Sequence, residues 1–199
     1  TVYDITGKAV SVAYTVDGGA AQDGKTSAAQ ADVKKNQTVT VAYTDKYTKD
    51  KGSLVITKTI QGDVTKEEAE GALQFKVTAP AGVKAADLPT DFKLDTAANT
   101  YYAEYKLDAF TYDEASKTFT KELKNLVVGA YTVEETAYDI TGKSVTVTYS
   151  AGTVKDADGK GAKVKADIKK GATETVAYKD DYTNDKGKLT IKKTVTGYT

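Results

Sequence analysis

The chain has 199 residues, 28 basic and 28 acidic, so its formal charge is zero and it offers no electrostatic footprint for nucleic acid or an anionic membrane. It contains neither Cys nor His, which removes disulfides, thiolate metal sites and the commonest general base. With 14 Tyr, abundant Thr and Val and no apolar run long enough to span a bilayer, it is expected to form strands and to insert in no membrane.

The opening segment, Thr1–Lys8 (TVYDITGK), returns as Thr136–Lys143 (TAYDITGK), an offset of 135. The same offset carries Val41–Asp45 onto Val176–Asp180 and Gly52–Lys58 onto Gly187–Lys193. Residues 1–64 thus match 136–199 without a gap, with about half the positions identical. Such a repeat marks a tandem array. Two polar, turn-rich stretches, Tyr47–Gly52 and Tyr182–Gly187, read as linkers. One complete unit is therefore expected over 52–184, with 1–50 the C-terminal part of a preceding repeat and 187–199 the first strand of a following one.

Within the complete unit, Gly52–Ile60 alternates as a strand with Leu54, Ile56, Lys58 and Ile60 on one face. Thr65–Glu68 has the spacing of a capping box and predicts a short helix. A second strand carries Leu73, Phe75 and Val77 and ends near Pro80, and Pro89 lies in a loop. Residues 101–114 and 117–123 predict a hairpin around Asp113–Lys117. A strand over Leu126–Glu135 puts Tyr131, Val133 and Glu135 on one face. Val145, Val147 and Tyr149 alternate in the next strand, and Val176, Tyr178 and Asp180 in the last. Six to nine short strands with turns between them and almost no helix predict an all-β antiparallel sandwich.

Three of these strands carry one ionisable residue on the face that their apolar residues define: Lys58, Glu135 and Asp180. The equivalent positions in the partial flanking repeats are Lys193 and Asp45. Burial of a lone charge is costly. Desolvation favours the neutral forms of amines and acids alike, so a buried amine beside a buried acid becomes a nucleophile beside an electrophile. Lys58 attacking the Asp180 carboxyl would expel water and leave an amide, with Glu135 as the proton shuttle. The event happens once per molecule, so the chain is not expected to be an enzyme in the turnover sense.

Gly52–Ile60 followed by Leu123–Glu135 resembles the CnaB-like and pilin isopeptide-linkage domains, immunoglobulin-like repeats in the stalks of Gram-positive adhesins and sortase-assembled pili. The resemblance implies a Lys58–Asp180 crosslink assisted by Glu135, which lies four residues after Tyr131 in a Tyr-x-x-x-Glu pattern. Pilin-linkage domains usually have Asn at the acceptor, whereas this chain has Asp in both copies. Asn184 shares the parity of Asp180 and is the alternative acceptor, although its counterpart in the other copy is Lys49. An extracellular location on the Gram-positive cell surface or wall follows from the same resemblance. So do neighbouring repeats of the same chain as partners, with identical subunits in a fibre as the alternative.

Competing readings are a snorkelling lysine, a plain buried ion pair, a host-ligand or glycan-binding adhesin module, and a fibre subunit linked head to tail through strand 187–199. The Tyr residues are expected to pack in the core rather than form a sugar platform. Asp156–Gly161 lacks the ligand spacing of a calcium loop, and no metal or cofactor is expected. Lys163–Lys170 reads as a strand with a solvated face.

Overall fold

In the computed structural model, which describes residues 4–197, three sheets account for nearly all the regular structure. The strands in chain order are β1 (Lys8–Val16), β2 (Gln22–Asp23), β3 (Val41–Lys49), β4 (Lys51–Gly62), β5 (Gln74–Thr78), β6 (Lys93–Asp95), β7 (Thr100–Lys106), β8 (Thr111–Asp113), β9 (Thr118–Val127), β10 (Gly129–Ala137), β11 (Lys143–Ala151), β12 (Val154–Asp158), β13 (Val164–Ile168) and β14 (Thr173–Asn184). Among the described residues a single α-helix, α1 (Lys66–Ala72), follows β4. Its cap is the one predicted: the Thr65 hydroxyl accepts from Glu68 N and the Glu68 carboxylate accepts from Thr65 N at 2.8 Å.

Residues 51–184 form an all-β, immunoglobulin-like sandwich. A six-stranded sheet, ordered β12-β11-β14-β4-β9-β8, faces a five-stranded one, ordered β13-β10-β5-β7-β6. Leu54, Ile56, Phe119 and Val176 from the first sheet meet Phe75, Val77, Val133 and Ala166 from the second, all fully buried. Alternation along each strand supplies this face, as in β13, where Val164, Ala166 and Ile168 are buried and the lysine between them is exposed. One pairing departs from the antiparallel rule. β14 runs parallel to β4, from Thr173 beside Ser53 to Tyr182 beside Gly62, so the first and last strands of the unit lie side by side.

Two predicted elements divide where the chain changes sheets. Residues 101–114 are not one hairpin arm: β7 pairs with β5 in one sheet, a 3-10 turn over Leu107–Ala109 crosses over, and β8 pairs with β9 in the other. Leu107 and Phe110 fill the core at that crossing. The strand expected over Leu126–Glu135 breaks at Val128 into β9 and β10. Gly129 adopts φ 149°, and a Cβ there would lie 2.8 Å from Pro80 Cγ, which only glycine avoids.

The stretches expected to be linkers are mostly strand. β3 ends at Lys49 and β4 begins at Lys51, so Asp50 alone separates them, and β14 continues to Asn184. Asp50 N donates to Gly7 O at 2.9 Å, and 135 residues later Asp185 N donates to Gly142 O at 3.0 Å. The same joint is built twice. β1, β2 and β3 form the separate three-stranded sheet, in which β1 and β3 pair from Lys8↔Lys49 to Val16↔Val41. Residues 187–197 form no strand, and Leu189, Ile191 and Val195 are exposed.

Candidate functional site

Alternation on β4 turns Lys58 inward, between Ile56 and Ile60, and no part of it is exposed. Its Cα pairs with Tyr178 on β14, so Asp180 stands two residues further along the neighbouring strand on the same face. Glu135 arrives from the opposite sheet, on β10, where it pairs with Phe75 just before a bulge. The three side chains are each 0 % exposed. Lys58 Nζ lies 2.5 Å from Glu135 Oε1 and in direct contact with Asp180 Oδ1. Phe75 and Tyr178 close the site, each ring centroid 5.9 Å from the lysine nitrogen, and the two rings meet edge-to-face at 5.4 Å.

The contacts are close, but they do not amount to a satisfied ion pair. Lys58 Nζ, Asp180 Oδ1 and both Glu135 carboxyl oxygens are buried with no hydrogen bond of normal geometry. Burial pushes the Glu135 carboxyl up to about 8, against the opposing charge of Lys58 and with the Asp180 charge adding to it. The Asp180 carboxyl is likewise raised, chiefly by burial. A buried ion pair stabilises only when its remaining polar sites are satisfied. Here they are not, and burial favours the protonated form of both acids.

Tyr182, placed in a linker by its polar neighbours, belongs to this site. It sits two residues beyond Asp180 on the same face of β14 and is fully buried. Its hydroxyl donates to the Tyr138 carbonyl at 2.7 Å and lies 3.0 Å from Asp180 Oδ2. The Asp-x-Tyr spacing, present also as Asp45 and Tyr47, was the sequence signal that could have found it.

The remaining candidates lie elsewhere. Asn184 is exposed at the end of β14, where its side-chain oxygen accepts from Lys143 Nζ at 3.2 Å. Asp45 is exposed on β3 and Lys193 is exposed in the segment after the sandwich. Tyr131, Tyr178 and Tyr182 are interior residues and present no stacking platform. Asp156–Asp158 ends β12, and among the described residues no acidic cluster could hold a metal ion. Nor, among them, is any helix long and apolar enough to cross a membrane.

No family model matches the chain, and no curated protein does. Among solved structures it is similar to the pilus-presented adhesin Spy0125 (Cpa), at 18 % identity and a TM-score of 0.36 over 65 % of this chain and 26 % of the adhesin. The chain thus spans about a quarter of that protein. A major pilin (T3.2) from Streptococcus pyogenes aligns at 13 % identity and a TM-score of 0.41, over 93 % of this chain and 65 % of the pilin. An adhesin from Mobiluncus mulieris, described as containing intramolecular disulfide, isopeptide and ester bond crosslinks, aligns at 15 % identity and a TM-score of 0.38, over 91 % of this chain and 87 % of the adhesin. These likenesses are too distant to say anything of the site.

Proposed function

We propose that the chain is a tension-bearing stalk repeat of a bacterial surface adhesin or pilus-like fibre, closed by an autocatalytic amide between Lys58 and Asp180. The observation that carries this reading is an amine and two carboxyls, all without exposure, in contact across two sheets, with the amine, both Glu135 oxygens and Asp180 Oδ1 lacking a hydrogen bond of normal geometry. With a proton passed from the amine to Asp180, the Lys58 Nζ lone pair attacks the Asp180 side-chain carbon and a C–N bond forms. Glu135, touching the amine, takes the proton that nitrogen sheds and surrenders its own to the departing hydroxyl. One water leaves for bulk solvent, and Glu135 ends with the proton count it started with.

The parallel pairing of β4 and β14 gives the bond its use. Force along an array enters at the start of β4 and leaves at the end of β14, so the two strands are loaded in shear. An amide from residue 58 to residue 180 carries that load covalently and leaves the intervening sandwich outside the path. By analogy with disulfide loop closure, joining residues roughly 120 apart contributes about 5 kcal/mol. Being irreducible, it suits a Cys-free chain on the cell surface. Intact mass is the test: the purified protein should be lighter than calculated by one water, and Lys58→Ala should restore the calculated mass. An unmodified wild-type mass removes the chemistry.

A second reading, head-to-tail linkage, is favoured by the exposed Leu189, Ile191 and Val195, whose equivalents Leu54, Ile56 and Ile60 are buried in β4. Laid beside β3 in the β4–β14 register, such a strand would bring Lys193 next to Tyr43 and near Asp45. Irreducible ladders on a denaturing gel, abolished by Lys193→Ala, would support it. A single band would count against it.

A further inference from the structure

We infer that Tyr182 is a catalytic residue of the proposed condensation, on which the inference rests: its hydroxyl holds the oxyanion that forms on Asp180 Oδ2. Residues two apart on a strand share a face, so β14 sets the phenol beside the carboxyl by spacing alone. The Tyr182 hydroxyl donates to Asp180 Oδ2 at 3.0 Å and shares its proton with the Tyr138 carbonyl at 2.7 Å. Asp180 Oδ1 has no hydrogen bond of normal geometry and touches Lys58 Nζ. The two carboxyl oxygens therefore differ, with a donor at Oδ2 and the nucleophile at Oδ1. Burial raises the Asp180 carboxyl, and Lys58 and the Tyr182 bond act against it, as a donor facing negative charge should. Burial and the Asp180 charge in turn hold the phenol protonated, so it remains a donor.

These neighbours give the two oxygens different fates. The proton that the ammonium gives up passes to Oδ1, the oxygen it touches. Nζ then attacks the Asp180 side-chain carbon, and the π pair of the C–Oδ2 double bond moves onto Oδ2. In the acid Oδ2 is a neutral carbonyl oxygen, whereas in the tetrahedral species it carries a full charge. Hydrogen bonds to a charged acceptor are roughly twice as strong as neutral ones. The shared phenol proton is therefore drawn from the Tyr138 carbonyl toward Oδ2 as the charge grows. An interaction that strengthens along the reaction lowers the barrier. On collapse the pair returns to re-form C=Oδ2, the C–Oδ1 bond breaks, and Oδ1 leaves as water with the proton relayed by Glu135. Oδ2 stays as the amide oxygen, still facing Tyr182. Glu135 touches the amine and makes no hydrogen bond of normal geometry, so proton relay and oxyanion are served by different side chains.

The test follows water loss by intact mass after the chain, synthesised into denaturant, is refolded by dilution. Tyr182→Phe removes the donor and keeps the ring, and should slow water loss by about 100-fold, the effect of deleting one oxyanion donor. Fluorinated tyrosines in place of Tyr182 separate this from a packing role. 3-Fluorotyrosine and 3,5-difluorotyrosine have progressively more acidic phenols, donate more strongly, and should quicken water loss in that order. 2-Fluorotyrosine adds the same atom with a smaller gain in acidity, and should fall between the wild type and 3-fluorotyrosine. Refolding is read in parallel by circular dichroism, and if Tyr182→Phe fails to fold the fluorinated series decides. A wild-type rate in folded Tyr182→Phe overturns the inference, and so does a rate indifferent to phenol acidity or falling with it. Wild-type protein that folds without losing water instead overturns the condensation itself.

Discussion

β1, β2 and β3 repeat the sequence of β11, β12 and β14, yet the two regions treat the same aspartate in opposite ways. Asp180 on β14 is fully buried, whereas Asp45 on β3 is exposed. The strand sequences around them, Val41–Asp45 and Val176–Asp180, differ at one position of five. The strand pairing is also shared, since β1 runs along β3 as β11 runs along β14. What differs is the cover. β14 has β4 as its parallel neighbour and β10 across the sandwich, while among the described residues the only strongly buried hydrophobic ones of the small sheet are Val12 and Tyr14. The buried cluster is thus a property of three strands meeting, not of the strand that carries the acid.

The sharpest way to break this contrast is to make the two-sheet sandwich resemble the small sheet. Lys58→Ala removes the amine that the proposed crosslink needs and leaves two buried carboxyls without their cation. A loss of about 5 kcal/mol is expected from loop closure alone, read as the denaturant midpoint, with the mass returning to the calculated value. A midpoint within error of wild type would mean that the strands are held without the bond.

The unlinked variant should also acquire a pH dependence of its own. With Lys58 in place, burial raises Glu135 from 4.5 to about 8, and Asp180 moves the same way. Removing the cation can only raise them further. A carboxyl raised in the folded state binds its proton more tightly there, so its stability contribution is full below the unfolded value and is lost as pH climbs through the folded one. The melting temperature of Lys58→Ala should therefore fall between about pH 4.5 and 8. A melting temperature that rises over this range would contradict a dry pair of acids.

A smaller effect is expected at the joint between the two regions. Asp50 is 9 % exposed and pairs with Lys170 at 3.0 Å, and Lys49 pairs with Asp87 at 2.7 Å. Both lysines are well exposed, so Asp50→Asn should lower stability by only about 1 kcal/mol or less. Because Asp50 N and O still bond Gly7 and Val128, the small sheet should keep its orientation, measurable as an unchanged spin-label distance between residues 20 and 115. A broadened distance would show that the ion pair, rather than the backbone, sets the joint.

Much of the complete unit was legible because apolar alternation survives any sheet assignment. Lys58, Glu135 and Asp180 each broke that alternation and could be found as exceptions. The capping box at Thr65 was equally local. What could not be read was where strands exchange sheets, since the crossings at Leu107 and Gly129 keep the apolar pattern running while the backbone turns. Tyr182 escaped for a related reason: polar neighbours outweighed its place two residues from Asp180. The parallel pairing of β4 with β14 depends on partners about 120 residues apart, and local pattern carries no such information.

The smallest effect is the one that bears most directly on the contrast. Asp45→Ala removes the counterpart of Asp180 from a surface position, where substitutions usually stay within about 0.5 kcal/mol. Its mass should change by the substitution alone, and its denaturant midpoint should not move. Asp180→Ala, by comparison, should abolish water loss and lower the midpoint as Lys58→Ala does. If Asp45→Ala altered either readout, then Asp45 would have to be covered in solution by a strand like β4, and the exposed segment carrying Leu189, Ile191 and Lys193 is the one whose sequence matches. Repeating the measurement across protein concentrations separates the two cases, because cover supplied by another copy grows with concentration whereas an intrinsic property of the small sheet does not.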